Sequence, residues 1–291
     1  MNPVWFDSHA HLDDRSFDHD RSDVIETAIA AGVETIVNIG YRPQSWRTTV
    51  QLAVDYPAVT FTLGFHPLHA KECSHAGLES LARLAEERRP VAIGEIGLDY
   101  FRKGPTRAVQ AECLRQQLRL ANSLGLPAVI HQRAAESDLV DLFEAEPALP
   151  HLVLHSFDGT ARFADFARER GSTIGVGGLA IRPGASKLRD ILRSIDPMSV
   201  VLETDAPYLA PSPAPSRRNE PANIPLIGQV YADLWGFQLQ EFAARTTATA
   251  RTVFGGSERK DTNSVSSRDG VEKTHPQHES ASLARQKASP S

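Results

Sequence analysis

Short apolar runs alternate with longer stretches whose apolar residues recur at helical spacing along most of this chain. The runs Val4–Asp7, Thr35–Ile39, Val59–Gly64, Val91–Gly94, Ala128–His131, Leu152–His155, Ser172–Val176 and Val200–Glu203 have the length and near-continuous hydrophobicity of buried parallel strands. Helical patterns lie between them, at Asp23–Ala31, Ser45–Asp55, Leu78–Arg88, Thr106–Leu124, Ala134–Ala145, Thr160–Arg170 and Ala185–Ser194. Ser22 or Asp23 is the expected cap of the first, and Gly32 its stop.

Strand–helix alternation repeated about eight times predicts a closed (β/α)8 barrel of the TIM type. An open doubly wound sheet competes with it, but that fold wants a Gly-x-Gly-x-x-Gly turn after its first strand, and the glycines of Ile174-Gly175-Val176-Gly177-Gly178 do not form one. Counting runs also accommodates a seven-stranded distorted barrel. Beyond the eighth strand, Pro207, Pro211, Pro213 and Pro215 forbid helix or central strand and predict a loop over the barrel mouth. Arg217, Arg218 and Asn219 follow it, and closing helices are expected at Ile224–Leu234 and Leu239–Val253.

From Gly255 the patterning stops. Residues 257–291 hold eight serines and only scattered aliphatics such as Val265, Val271 and Leu283, too little apolar area to offset ordering entropy. We therefore expect a barrel domain over 1–255 and a disordered tail over 256–291, with a short docked helix near Leu283–Lys287 as the alternative.

Composition narrows the function classes. A formal charge of −5 argues against a broad basic surface for non-specific duplex binding, while leaving room for a small basic patch. Cys73 and Cys113 form no CxxC motif and have no activating partner, so both read as free thiols of a reducing compartment. No leader pattern and no apolar run of membrane-spanning length is present. A cytoplasmic monomer without a membrane partner is the expectation.

The candidate chemistry sits on the strand tails. His9 and His11 are two apart, so both imidazoles share a face, and Asp7 has the parity to orient them. Glu95 follows the apolar Val91–Gly94 run, where a carboxylate is costly unless paired or metal-bound; it could bridge two cations or pair with Arg102 or Lys103. His131 and His155 close two equivalent runs, whereas His151 opens its strand and reads as structural. Asp205 could bind metal and also take a proton from an attacking water, with Glu203 behind it; a loop-fixing role is the alternative. Imidazole and carboxylate together suit Zn, Mn, Fe or Ni and leave Mg open. His66 fits the hold on a substrate anion, and Arg102, Lys103, Arg182, Arg217 and Arg218 lie in loops on the same face. Seven such residues at C-terminal strand ends point to a barrel enzyme.

Five segments then carry a resemblance: Phe6-Asp7-Ser8-His9-Ala10-His11-Leu12-Asp13, Gly64-Phe65-His66-Pro67, Gly94-Glu95-Ile96-Gly97-Leu98-Asp99-Tyr100, Glu203-Thr204-Asp205-Ala206-Pro207-Tyr208-Leu209 and Arg218-Asn219-Glu220-Pro221-Ala222-Asn223. In this order they resemble the TatD family of metal-dependent deoxyribonucleases, from about Pro3 to Gly255. The resemblance implies two divalent metals, with Mg or Mn support. It places His9, His11 and Asp205 on one ion, His131 and His155 on the other, and Glu95 between them. It also implies a phosphate contact for His66; Arg102 and Arg218, among the loop cations on the same face, are the further expected substrate contacts. The implied activity is 3′–5′ exonuclease action on DNA, especially single strands; a modest basic rim and a narrow mouth favour single strands or frayed ends on physical grounds, and RNA is the alternative partner. Some relatives hydrolyse the ester of aminoacyl-tRNA instead, and a non-catalytic metal-binding barrel is the remaining reading. One departure is Thr249, where the family commonly has Asn; it bears on local helix packing.

Overall fold

A computed structural model of the chain describes residues 2–211 and 218–255. Its strands are β1 (Trp5–Ala10), β2 (Val33–Gly40), β3 (Val59–Leu63), β4 (Ala92–Asp99), β5 (Ala128–Arg133), β6 (Leu152–Leu154), β7 (Thr173–Val176) and β8 (Val200–Leu202). They form one sheet in chain order, and every neighbouring pair is parallel. The ring is completed where the end of β1 meets the segment after β8. Ala10 and Ala206 form a parallel bridge, His11 N–H donates to the Ala206 carbonyl at 2.7 Å, and Asp205 N–H donates to the His9 carbonyl at 2.8 Å. The eight-stranded barrel is thus the architecture, and both rival topologies fall.

The returning helices are α1 (Arg21–Ala30), α2 (Pro43–Asp55), α3 (His75–Arg88), α4 (Arg107–Leu124), α5 (Glu136–Ala145), α6 (Ala161–Glu169), α7 (Ser186–Arg193), α8 (Ile224–Trp235) and α9 (Leu239–Phe254). Capping chemistry sets several ends. The Thr106 and Thr160 side chains accept from the Val109 and Phe163 N–H groups, so these threonines precede α4 and α6 instead of starting them. Gly125, at φ +64°, ends α4. Helix α1 starts at Arg21 behind Asp20, so neither Ser22 nor Asp23 caps it. Thr249 Oγ1 lies 3.1 Å from both the Met198 and the Arg245 carbonyl oxygens, so threonine ties α9 to the approach of β8 and its packing is intact.

Strand parity sorts the core into two layers. Trp5, Ile36, Ile93, Ile96, Leu98, Ile130, Leu154, Ile174 and Leu202 pack outward with helix residues such as Ile25, Leu114 and Leu118. Phe6, Val37, Ile39, Ala92, Val129, Val153 and Val201 form a separate inner cluster with Ala250 and Phe254 of α9. The Phe6 and Phe254 rings stack with centroids 6.0 Å apart, so α9 plugs the end of the barrel opposite its mouth. Continuing the inner parity upward leads from Val129 to His131, from Val153 to His155 and from Val201 to Glu203.

Strand β4 departs most from its expected limits. It runs on through Asp99 because a bulge, not a turn, follows Gly94. Ile93 and Ile96 both face the helices although three residues apart, and the β4–β5 register shifts between Gly94 and Ile96. The extra residue turns Glu95 into the barrel. Beyond it, Gly97 sits at φ +151°, where an added Cβ would lie 1.9 Å from the His131 carbonyl oxygen. Gly97→Ala is therefore expected to force β4 from β5 at a cost of roughly 3 kcal/mol. Thermal denaturation should show a Tm lower by about 6–12 °C; an unchanged Tm would mean the strands have slack here.

Among the described residues no helix is long and apolar enough to cross a membrane. Arg217 and the expected tail from residue 256 onward lie outside the described residues.

Candidate metal centre

The mouth of the barrel gathers the seven tail residues, four of the histidines around Glu95 and the fifth, His11, beside Asp205. Glu95 Oε1 lies 2.7 Å from His131 Nδ1, 3.8 Å from His66 Nε2 and 3.8 Å from His155 Nε2. Glu95 Oε2 lies 3.7 Å from His9 Nε2. Asp205 Oδ1 stands on the far side, 3.3 Å from His11 Nε2 and 3.8 Å from His9 Nε2. The His9 and His155 rings stack with centroids 3.5 Å apart. Arg102 and Lys103 do not pair with Glu95, so the simple ion pair is set aside.

Burial and charge divide these groups. Burial, with His155 alongside, pushes His9 well below the usual imidazole range. Burial also pushes His66 down to about 3. Burial opposes protonating His131 and His155, but carboxylates outweigh it: Glu95 and Asp99 push His131 up to about 9, and Glu203 and Glu95 push His155 up to about 10. Burial alone would raise Glu95, yet His66, His131 and His155 hold it well below the usual carboxylate range. His66 Nδ1 accepts the Leu68 N–H at 3.2 Å, so the neutral ring carries its proton on Nε2, the atom that faces Glu95.

The donor set fits divalent cations. Both ring nitrogens of His9 and Nδ1 of His11 are buried without a hydrogen-bond partner, an arrangement that is costly unless something else engages them. Three groups of donor atoms lie mutually within 4.8 Å: His9, His11 and Asp205; His66, Glu95 and His131; and His9, His155 and Glu203. His131 and His155 both face Glu95 Oε1 but fall in different groups, which differs from the pairing implied by the resemblance. His66 is as close to Glu95 as His155 is.

The supporting residues are only partly those expected. Asp7 touches neither imidazole ring but holds the backbone of His9. Its carboxylate accepts the His9 N–H at 3.3 Å, the Thr204 N–H at 2.9 Å and the Thr204 hydroxyl at 2.6 Å, pinning the segment that carries Asp205, and burial pushes it up to about 7. Glu203 lies 3.0 Å from His155 Nδ1 and accepts the Ser156 N–H at 2.6 Å, so it fixes His155. A Cβ on Gly175 would lie 2.3 Å from Glu203 Oε2; β7 supplies room, not a ligand. Asp99 went unassigned in the sequence. It sits 3.3 Å from His131 Nε2, and its alternation with Glu95 and Gly97 along β4 was the available signal.

Arg218 is tied into the protein. Its guanidinium donates to Asp20 at 2.6 and 2.9 Å, to Glu220 at 2.8 Å and to the Ser16 carbonyl at 2.6 Å, and stacks 4.7 Å from the Phe17 ring. It ties the loop after β8 to the start of α1. Arg102 remains exposed beyond β4. His151 bonds Thr173 Oγ1 at 2.9 Å at the opposite end of the barrel, as a structural residue should. Cys73 and Cys113 are both free, and Cys73 together with burial pushes the Cys113 thiol upward.

The TatD-related DNase family profile matches residues 6–255. A protein from Salmonella typhimurium named 3′-5′ ssDNA/RNA exonuclease TatD is 38% identical over 257 residues, 86% of this chain and 98% of that one. The uncharacterized metal-dependent hydrolase YabD of Bacillus subtilis is 32% identical over 252 residues, 86% of this chain and 99% of that one. Among solved structures, the TatD homolog YJJV from Escherichia coli superposes with a TM-score of 0.81 at 31% identity, covering 86% of this chain and 98% of that one. The chain belongs to the TatD-related DNase family and is a metal-dependent hydrolase.

Proposed function

We propose that this TatD-family hydrolase removes nucleotides from the 3′ end of single-stranded or frayed DNA, and of RNA, with two divalent cations, Mg or Mn, at its mouth. The observation that carries the reading is Glu95: four imidazoles surround its two oxygens, and Asp205 faces it across His9. In this reading, which follows the family pairing, His9, His11 and Asp205 would hold one cation and His131 and His155 the other, with Glu95 serving both. Cations held there supply Lewis acidity toward a phosphate oxygen and make a water acidic enough to lose its proton near neutral pH.

The remaining work belongs to side chains. The Asp205 carboxylate accepts the proton of the attacking water. It is the more open of the two carboxylates, at 13% exposure against 5% for Glu95. His66, neutral with its proton on Nε2, donates to a non-bridging phosphate oxygen and adds no positive charge beside the cations. Glu203 and Asp99 hold the rings of His155 and His131 in orientation. The negative net charge and the relatives named ssDNA/RNA exonuclease support a single-stranded substrate over an intact duplex.

The test is a side-by-side assay on labelled DNA and RNA oligonucleotides and on charged tRNA. Chelator-stripped protein is expected to be inactive. Added Mg or Mn should restore stepwise 3′ shortening of the oligonucleotides by at least about 100-fold. Deacylation of the tRNA with intact oligonucleotides would overturn the nuclease reading in favour of ester hydrolysis.

A further inference from the structure

We propose that Phe101 and Arg133 form a stacking platform that receives a base of the single strand as it enters the mouth. The inference rests on the nucleic-acid reading above and adds a binding element to it. Phe101 is 68% exposed, while its ring is covered by the Arg133 guanidinium 4.2 Å from the centroid. An isolated exposed phenylalanine means little; this one is held firmly and beside the centre.

The loop that displays it is anchored from below. Asp99 Oδ1 accepts the Phe101 and Arg102 N–H groups at 2.9 Å each, while its Oδ2 lies 3.3 Å from His131 Nε2. One carboxylate therefore positions both an imidazole of the centre and the backbone under the ring. Tyr100 N–H donates to the Arg133 carbonyl at 2.9 Å, which pairs the loop with the end of β5. The buried Gln110 amide closes the loop base, accepting the Asp99 N–H at 2.8 Å and donating to the Asp99 and Pro105 carbonyls at 3.0 Å each. Such a platform does not have to be ordered when ligand arrives.

Charge supports the same ligand. Arg102 and Lys103 follow Phe101 directly, are exposed, and make no ion pair with the described residues. In a chain of net charge −5, an aromatic ring flanked by three cationic side chains matches a base next to its phosphates. Stacking on a phenyl ring or on a guanidinium plane accepts every base, which suits a strand of any sequence.

The test uses full-length protein and two readouts. Fluorescence anisotropy of a labelled single-stranded oligonucleotide on chelator-treated protein measures binding without turnover. Steady-state kinetics on the same oligonucleotide and on bis(p-nitrophenyl) phosphate separates strand capture from chemistry. Phe101→Ala is expected to raise Kd and KM for the oligonucleotide roughly tenfold, with kcat and the aryl phosphodiester rate unchanged. Phe101→Trp should keep or tighten binding. Wild-type Kd and KM in Phe101→Ala, in a protein that shortens the oligonucleotide, would overturn the platform alone. A wild type that cleaves the aryl diester but neither binds nor shortens the oligonucleotide would overturn the nuclease reading and the platform with it.

Discussion

Glu95→Ala is expected to lower kcat/KM on a single-stranded oligonucleotide by roughly 10³-fold or more while the barrel stays folded. The size of the effect follows from its position. His9, His66, His131 and His155 all point a ring nitrogen at one of its two oxygens, and the side chain is only 5% exposed. Without the carboxylate, the imidazoles lose the negative charge that balances a cation among them. Elemental analysis should therefore show less metal per chain than in wild type. Folding is spared because Glu95 occupies a bulge at the mouth, while the helix-facing layer of β4 is built from Ile93, Ile96 and Leu98. Glu95→Gln tests charge against shape: it keeps the volume, so an equally large loss assigns the effect to the charge. Near wild-type turnover in Glu95→Ala would mean the imidazole cluster works without its hub.

That hub was legible in the sequence as a residue type in a motif, but its geometry was not. Periodicity gave eight strands and their order, because buried parallel strands leave continuous apolar runs that loops and helices do not imitate. The inner face of β5 and β6 was equally readable, since simple alternation carries Val129 to His131 and Val153 to His155. Strand β4 broke the rule. Its bulge inserts one residue between Ile93 and Ile96, so alternation alone cannot say whether Glu95 faces core or mouth. Long-range polar contacts were the least legible. Asp7 shares parity with His9 and accepts its backbone N–H, but its shorter bonds go to Thr204, a residue brought near only by closure of the ring. Arg218 reads in sequence only as a loop cation, and its pairing with Asp20 just before α1 appears only in the fold. Phe101 gave only the local signal of an aromatic followed by two cations; its stacking partner Arg133 lies on the next strand.

Asp205→Asn is expected to lower kcat by about 10²–10⁴-fold, the range for a positioned proton acceptor, with a smaller effect on KM. Asparagine is the appropriate probe because Asp205 sits at φ +56°, in the left-handed region that Asn tolerates and alanine does not. The backbone there is held on both sides: Asp205 N–H donates to the His9 carbonyl at 2.8 Å and the Asp205 carbonyl accepts Tyr208 N–H at 2.7 Å. Ring closure between β1 and the segment after β8 thus survives the change, and a Tm within about 3 °C of wild type should confirm it. What is lost is the negative charge 3.3 Å from His11 Nε2 and the oxygen that would take a proton. Glu203 is directed elsewhere: its Oε1 accepts the Ser156 N–H and lies 3.0 Å from His155 Nδ1. A kcat near wild type with normal metal content would therefore remove Asp205 as the proton acceptor and leave it as a ligand only.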